Sequence, residues 1–135
     1  MIGFELSEEQ EMLRELARDF ARNNVRPHAE KWDLNGDFPI EAIREAHSLG
    51  LTNLHIPEEY GGAGMGIFEE SIVSEEMSWG DPGFGTAQYS NGLTAAPIIT
   101  GGTEEQKRKY LGMLVKEPLV ASYCVTEPGA GSDVS

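Results

Sequence analysis

The sequence predicts an all-α N-terminal domain of about five helices, followed by the first strand of a truncated β-domain. Three observations carry this. Apolar residues recur at helical spacing through successive segments. Two Ser/Thr-x-x-Gln patterns mark helix starts. The one run rich in Val, Tyr and Thr, "PLVASYCVT", comes at the end. The helical domain is expected over residues 1–117 and the start of the β-domain over 118–135.

The first helix opens at Ser7, where "SEEQ" matches a capping box: the serine hydroxyl and the Gln10 side chain satisfy donors at the helix start. Leu13, Leu16, Ala17, Phe20 and Ala21 give it one apolar face to about Asn24, and Pro27 follows. In a short second helix Pro39 suits the first turn, Ile40, Ile43 and Ala46 or His47 share a face, and Gly50 takes the left-handed position after the end. "LTNLHIPEEYGGAGMG" reads as a loop with positive-φ positions. A third helix follows, with Phe68, Ile72 and Val73 inward and Glu69, Glu70, Glu75 and Glu76 mostly outward.

"WGDPGFG" breaks and restarts the chain, since Asp81 can cap a helix whose first residue is Pro82. From Phe84 to Ile99 the pattern is small and apolar around most of the circumference, which predicts a helix buried by its neighbours. A second capping box, Thr103 with Gln106, starts the fifth helix, which must end before Pro118. A lone strand after it cannot pair its backbone groups, so the chain reads as cut at the entrance to a β-rich unit.

Composition narrows the function. With 10 basic and 23 acidic residues in 135, the formal net charge is −13, which argues against nucleic acid, whose binding draws on clustered Lys and Arg. Such an acidic balance fits a solvated surface. No apolar run approaches the ~18 residues of a membrane span. The start has neither a signal-peptide nor a presequence pattern, and Cys124 alone fits a reducing compartment. A bacterial cytoplasm is therefore expected over a mitochondrial matrix.

His28, His47 and His55 lie in separate segments without metal-ligand spacing and read as surface or packing residues; no metal site is assigned. Cys124, in an apolar strand, is expected to be a buried, unreactive thiol. "GAGSDV" lacks the third glycine of a dinucleotide fingerprint and no helix follows it. Two readings of the turn stay open on chemistry alone. One is an ordinary strand-to-strand turn. The other is a cradle in which Gly129 and Gly131 free backbone N–H groups, and Thr126 and Ser132 hydroxyls clasp a ring edge or a phosphate.

"YCVTEPGAGSDVS" closely resembles the signature of the acyl-CoA dehydrogenases, and the similarity extends through "HIPEEYGGAGMG", "APIITGGTEEQKRKYLGML" and "EPLVASYCVTEPGAGSDV", with most likeness to the medium- and short-chain branch. The resemblance implies a helical N-terminal domain, a middle β-domain and a C-terminal four-helix domain, assembled as a homotetramer. It implies FAD, with the strand and loop from Tyr123 through Cys124, Val125 and Thr126 along the flavin, Val125 and Thr126 bonding its edge, and Gly131 and Ser132 at the pyrophosphate. Ser132 would also meet the CoA portion of the substrate. Thr86 to Leu93 would border the acyl pocket, with Thr86, Tyr89 and Leu93 as substrate-binding residues and Tyr89 standing where medium-chain enzymes carry a glutamate.

The implied reaction is α,β-dehydrogenation of a fatty acyl-CoA to a trans-2-enoyl-CoA, with electrons passed to an electron-transfer flavoprotein. The family's catalytic glutamate lies beyond Ser135, so no catalytic residue is assigned here and this chain by itself is expected to be inactive and to hold FAD poorly. The alternatives are a related flavoprotein, either an acyl-CoA oxidase or a flavin-dependent monooxygenase, or a short helical interaction protein without catalysis.

Overall fold

A computed structural model describes residues 5–133. Its elements are α1 (Glu8–Phe20) with a π-helical turn (Ala21–Val25), α2 (Ala29–Asn35), α3 (Ile40–Ser48), a 3-10 turn (Glu58–Tyr60), α4 (Ile67–Gly80), α5 (Pro82–Gly101) and α6 (Glu104–Lys116). Helix α1 packs on α4, α4 on α5, and α5 on α6.

The locally encoded starts form as the sequence requires. Ser7 Oγ accepts from Gln10 N–H at 3.2 Å while Gln10 Oε1 accepts from Ser7 N–H at 2.9 Å. Thr103 and Gln106 repeat this at 3.3 and 2.8 Å. Asp81 Oδ2 accepts from Phe84 N–H at 2.6 Å, and Pro82 begins α5. Gly50, after α3, has φ 72°, a conformation that costs glycine nothing.

Two cores result. Ala17, Phe20, Val25, Ile43, Leu51, Leu54, Val73, Met77 and Phe84 are buried in one, where the Phe84 ring lies 6.2 Å from Phe20 and 6.0 Å from Trp32, centroid to centroid. Ile56, Tyr60, Ala95, Leu111 and Leu114 form the other, joining the 3-10 turn and α6 to the far half of α5. Burial and a hydrogen bond to Glu104 at 3.1 Å raise the pKa of the Tyr60 phenol.

Several expectations require correction. Helix α2 is additional: it follows Pro27 after a single turn and lacks an apolar repeat, with Leu34 exposed. In α1 Leu16 is partly exposed, and in α4 Phe68 faces out while Glu76 is buried as the ion-pair partner of Arg18. Arg18 also stacks 4.0 Å from the centre of the Trp79 ring, whose surroundings include Arg26 at 4.4 Å. Helix α5 is covered on one flank only; Thr86, Leu93, Ala96 and Pro97 are exposed.

The expected strand is also absent among the described residues. From Pro118 to Thr126 the chain makes no ladder, and the only pairing nearby is a tight turn in which Glu127 and Ala130 exchange backbone hydrogen bonds at 2.8 and 3.1 Å. The physical reason is that a strand is defined by its partner, and none of the described residues supplies one. Asn91 stands in for it: its amide donates to Leu119 O at 2.9 Å and its carbonyl accepts from Ala121 N–H at 2.7 Å. Without cover, Val120, Tyr123 and Val125 are exposed, and so is Cys124, contrary to the buried thiol expected of a paired strand.

Candidate functional site

One face of α4 and the first turns of α5 line a cleft of about 300 Å³. Helix α4 contributes Ile67, Glu70, Ser71, Ser74 and Ser78, which recur at three- and four-residue steps and so share one face. Helix α5 contributes Gly85, Thr86 and Tyr89. Gly85 allows the two helices to approach next to their connection, since a Cβ there would lie 3.2 Å from Ser78 Cα.

The N-terminal end of α4 is fixed by hydrogen bonds to a carboxylate. Glu69 Oε2 accepts from Gly66 N–H at 3.1 Å, and its Oε1 accepts from the Gln10 amide at 2.7 Å. The Gln10 hydrogen bond is the main cause of a carboxyl pKa below its ordinary value, helped by backbone N–H donors. One residue further, Glu70 turns inward, and its Oε1 accepts from His55 Nδ1–H at 2.7 Å. Both side chains are largely buried, with 12% of Glu70 and 16% of His55 exposed. They press on α5 at Gly92, where a Cβ would lie 3.4 Å from Glu70 Oε1 and 3.5 Å from His55 Cε1.

Two of the four residues expected to meet a substrate, Thr86 and Tyr89, line one cleft, whereas Ser132 does not. Leu93, a turn further on, does not line it and is 47% exposed. The Thr86 hydroxyl donates to Pro82 O at 2.9 Å and the Ser71 hydroxyl to Ile67 O at 2.7 Å, whereas the Ser74, Ser78 and Tyr89 hydroxyls bond to no other described residue. Sequence reasoning missed Glu70, His55 and the serines of α4. A signal was present, because Ile67, Glu70, Ser74 and Ser78 fall on one helical stripe.

Tyr123, Cys124, Val125, Thr126, Gly131 and Ser132 are all exposed and none lines the cleft. The backbone N–H groups of Val125 and Thr126 donate to no described residue, and nothing lies within 4 Å of a Cβ built on Gly129 or Gly131. That leaves an accessible row of donors ending in an open turn, a donor set suited to the polar edge of a planar heterocycle and to a phosphate. Among the described residues no helix is long and apolar enough to cross a membrane.

The chain has relatives among known proteins. Residues 7–118 match the family model described as "Acyl-CoA dehydrogenase, N-terminal domain". Over 134 residues the chain is 48% identical to a Caenorhabditis briggsae protein called "Probable medium-chain specific acyl-CoA dehydrogenase 2, mitochondrial", covering 99% of this chain and 33% of that relative. A chain in the solved structure of an electron transferring flavoprotein of Acidaminococcus fermentans superposes with a TM-score of 0.90 at 34% identity, over 98% of this chain and 35% of that one. An acyl-CoA dehydrogenase from Bacillus anthracis, solved as a complex with FAD, gives 0.87 at 34% identity, over 99% and 23%. The chain spans about a third of the length of its curated relative. With the family model covering most of its length, the chain belongs to the acyl-CoA dehydrogenase family, whose N-terminal domain it carries.

Proposed function

We propose that this chain forms the N-terminal domain and the first part of the β-domain, meeting near residues 117 and 118, of an FAD-dependent enzyme that oxidises a fatty acyl-CoA to the trans-2-enoyl-CoA. The observation that carries this reading is the cleft lined by Thr86 and Tyr89, in a chain matched to the family over residues 7–118. In it, the acyl chain enters between α4 and α5, where Tyr89 limits its depth. The flavin, when bound, supplies the hydride acceptor.

The chain's own part is binding and orientation. Val125 and Thr126 N–H groups and the Thr126 hydroxyl hold the polar edge of the ring, and such donors favour negative charge arriving there. Gly131 and Ser132 meet the pyrophosphate, with Ser132 also touching the CoA portion, while Tyr123 and Cys124 run alongside the ring. The proton is removed by a carboxylate outside this chain, so catalysis needs the remaining domains and, in this reading, a homotetramer. An electron-transfer flavoprotein takes the electrons.

The test is anaerobic titration of the complete flavoenzyme built on this chain with butyryl-CoA. The flavin absorbance should bleach and crotonyl-CoA should form in equal amount. A flavin that stays oxidised while the thioester is bound overturns the proposal, and rapid reoxidation of the bleached flavin by air would assign it to the oxidases instead.

A further inference from the structure

We propose that the α4–α5 cleft prefers short acyl chains bearing a hydroxyl near their far end and excludes chains ending in a carboxylate, with Glu70, held by His55, as the specificity-determining residue. This rests on the reading of the cleft as the acyl site.

Glu70 has only one of its two carboxylate oxygens engaged by a described residue. Its Oε1 is engaged by His55 Nδ1–H at 2.7 Å, but Oε2 accepts from none of the described residues although the side chain lines the cleft and is 12% exposed. Water in the open cleft reaches Oε2, but once a ligand displaces that water the oxygen is costly to bury unless a donor meets it. An alkyl chain brings no donor and displaces water from Oε2. A terminal carboxylate brings a like charge into a small space where screening is weak. A hydroxyl supplies the missing donor, and its oxygen can accept from the Ser74 or Tyr89 hydroxyl, neither of which bonds to another described residue.

The pair is also held in place. The His55 Nδ1–H bond at 2.7 Å fixes the carboxylate, and Gly92 of α5, which has no side chain, leaves the room the pair occupies. His55 Nε2 is buried with no partner among the described residues, which suits the tautomer whose proton sits on Nδ1 and points at Glu70. A fixed acceptor discriminates better than a mobile one, because the cost of orienting it has been met in folding. A cleft of about 300 Å³ lies at the small end for ligand pockets, which limits chain length.

The experiment compares kcat/KM for hexanoyl-CoA, 6-hydroxyhexanoyl-CoA and adipoyl-CoA in the complete flavoenzyme. The hydroxyacyl substrate should exceed hexanoyl-CoA about tenfold, the scale of one hydrogen bond to a charged group, and adipoyl-CoA by about 100-fold or more. In Glu70→Gln the ratio of adipoyl-CoA to hexanoyl-CoA should rise about tenfold, because the amide removes the like charge and adds a donor. Ser74→Ala should leave that ratio low while reducing the preference for the hydroxyl. Adipoyl-CoA used as well as the hydroxyacyl substrate by the unmodified enzyme, or ratios unmoved in Glu70→Gln, would overturn the inference. Inertness toward all three thioesters overturns the acyl-site reading itself, and the inference with it.

Discussion

Asn91 Oδ1 accepts a hydrogen bond from the Ala121 N–H at 2.7 Å, so a side chain in the middle of α5 fixes the path of the chain beyond α6. The same amide donates to Leu119 O at 2.9 Å. Asn91 is 5% exposed, and it joins the helix that flanks the cleft to the segment leading toward Tyr123–Thr126.

Replacing Asn91 with Ala should strand the Ala121 N–H and the Leu119 carbonyl in partly buried positions. A loss of about 1–3 kcal/mol is expected from urea unfolding. Amide exchange should quicken at Ala121 well before it does in α4. A variant as stable as the parent, with Ala121 equally protected, would show that the clamp contributes nothing.

Arg18→Ala should be among the most damaging single changes in α1. It leaves Glu76, whose side chain is 6% exposed, without its cation, and the cost of an unpaired buried carboxylate is about 3–5 kcal/mol. Arg22→Ala breaks an exposed pair with Asp19 and should cost no more than ~1 kcal/mol. Equal midpoints for the two variants in urea would contradict the account of Glu76.

The pH dependence contributed by Glu69 has a definite sign. Its folded pKa lies below the ordinary 4.5, so its contribution is in full force above that pH and is lost as pH falls through the lowered value. Gln10→Ala removes the main cause of the lowering. The Glu69 carboxyl, followed by NMR, should then titrate at higher pH, and the parent's stability advantage over the variant should shrink in acid. An unchanged titration would assign the lowering to backbone donors instead.

Tyr89→Ala should lengthen the preferred acyl chain. Its ring occupies one wall of the cleft, and removing it opens space that further methylenes can fill at about 0.8 kcal/mol each. Chain-length profiles from butyryl-CoA to decanoyl-CoA in the complete enzyme are the measurement, and an identical profile in both forms would show that Tyr89 merely packs between helices.

What could be read in advance followed the range of the interaction. Ser7 with Gln10, Asp81 with Pro82, and Thr103 with Gln106 each decide a helix start within three residues, and all three form as expected. Glu76 was misread because a glutamate's burial depends on what faces it, here Arg18 on another helix. The His55–Glu70 pair was equally hidden, since the two are fifteen residues apart and nothing in the stretch that His55 opens points to Glu70. The strand failed for a related reason: Val120, Tyr123 and Val125 have the composition of one, but pairing needs a partner that composition cannot provide. Helix α2 fell between two signals, with Pro27 reading as a stop and seven residues being too few to show a period.

In the proposed function the acyl chain lies in the cleft between α4 and α5. A crystal structure of the complete flavoenzyme with butyryl-CoA bound tests this directly. The acyl carbons should lie in van der Waals contact with Thr86 and Tyr89, with Glu70 at the far end and Val125 and Thr126 along the ring. An acyl chain lying elsewhere, with the cleft filled by another segment of the protein, would contradict it.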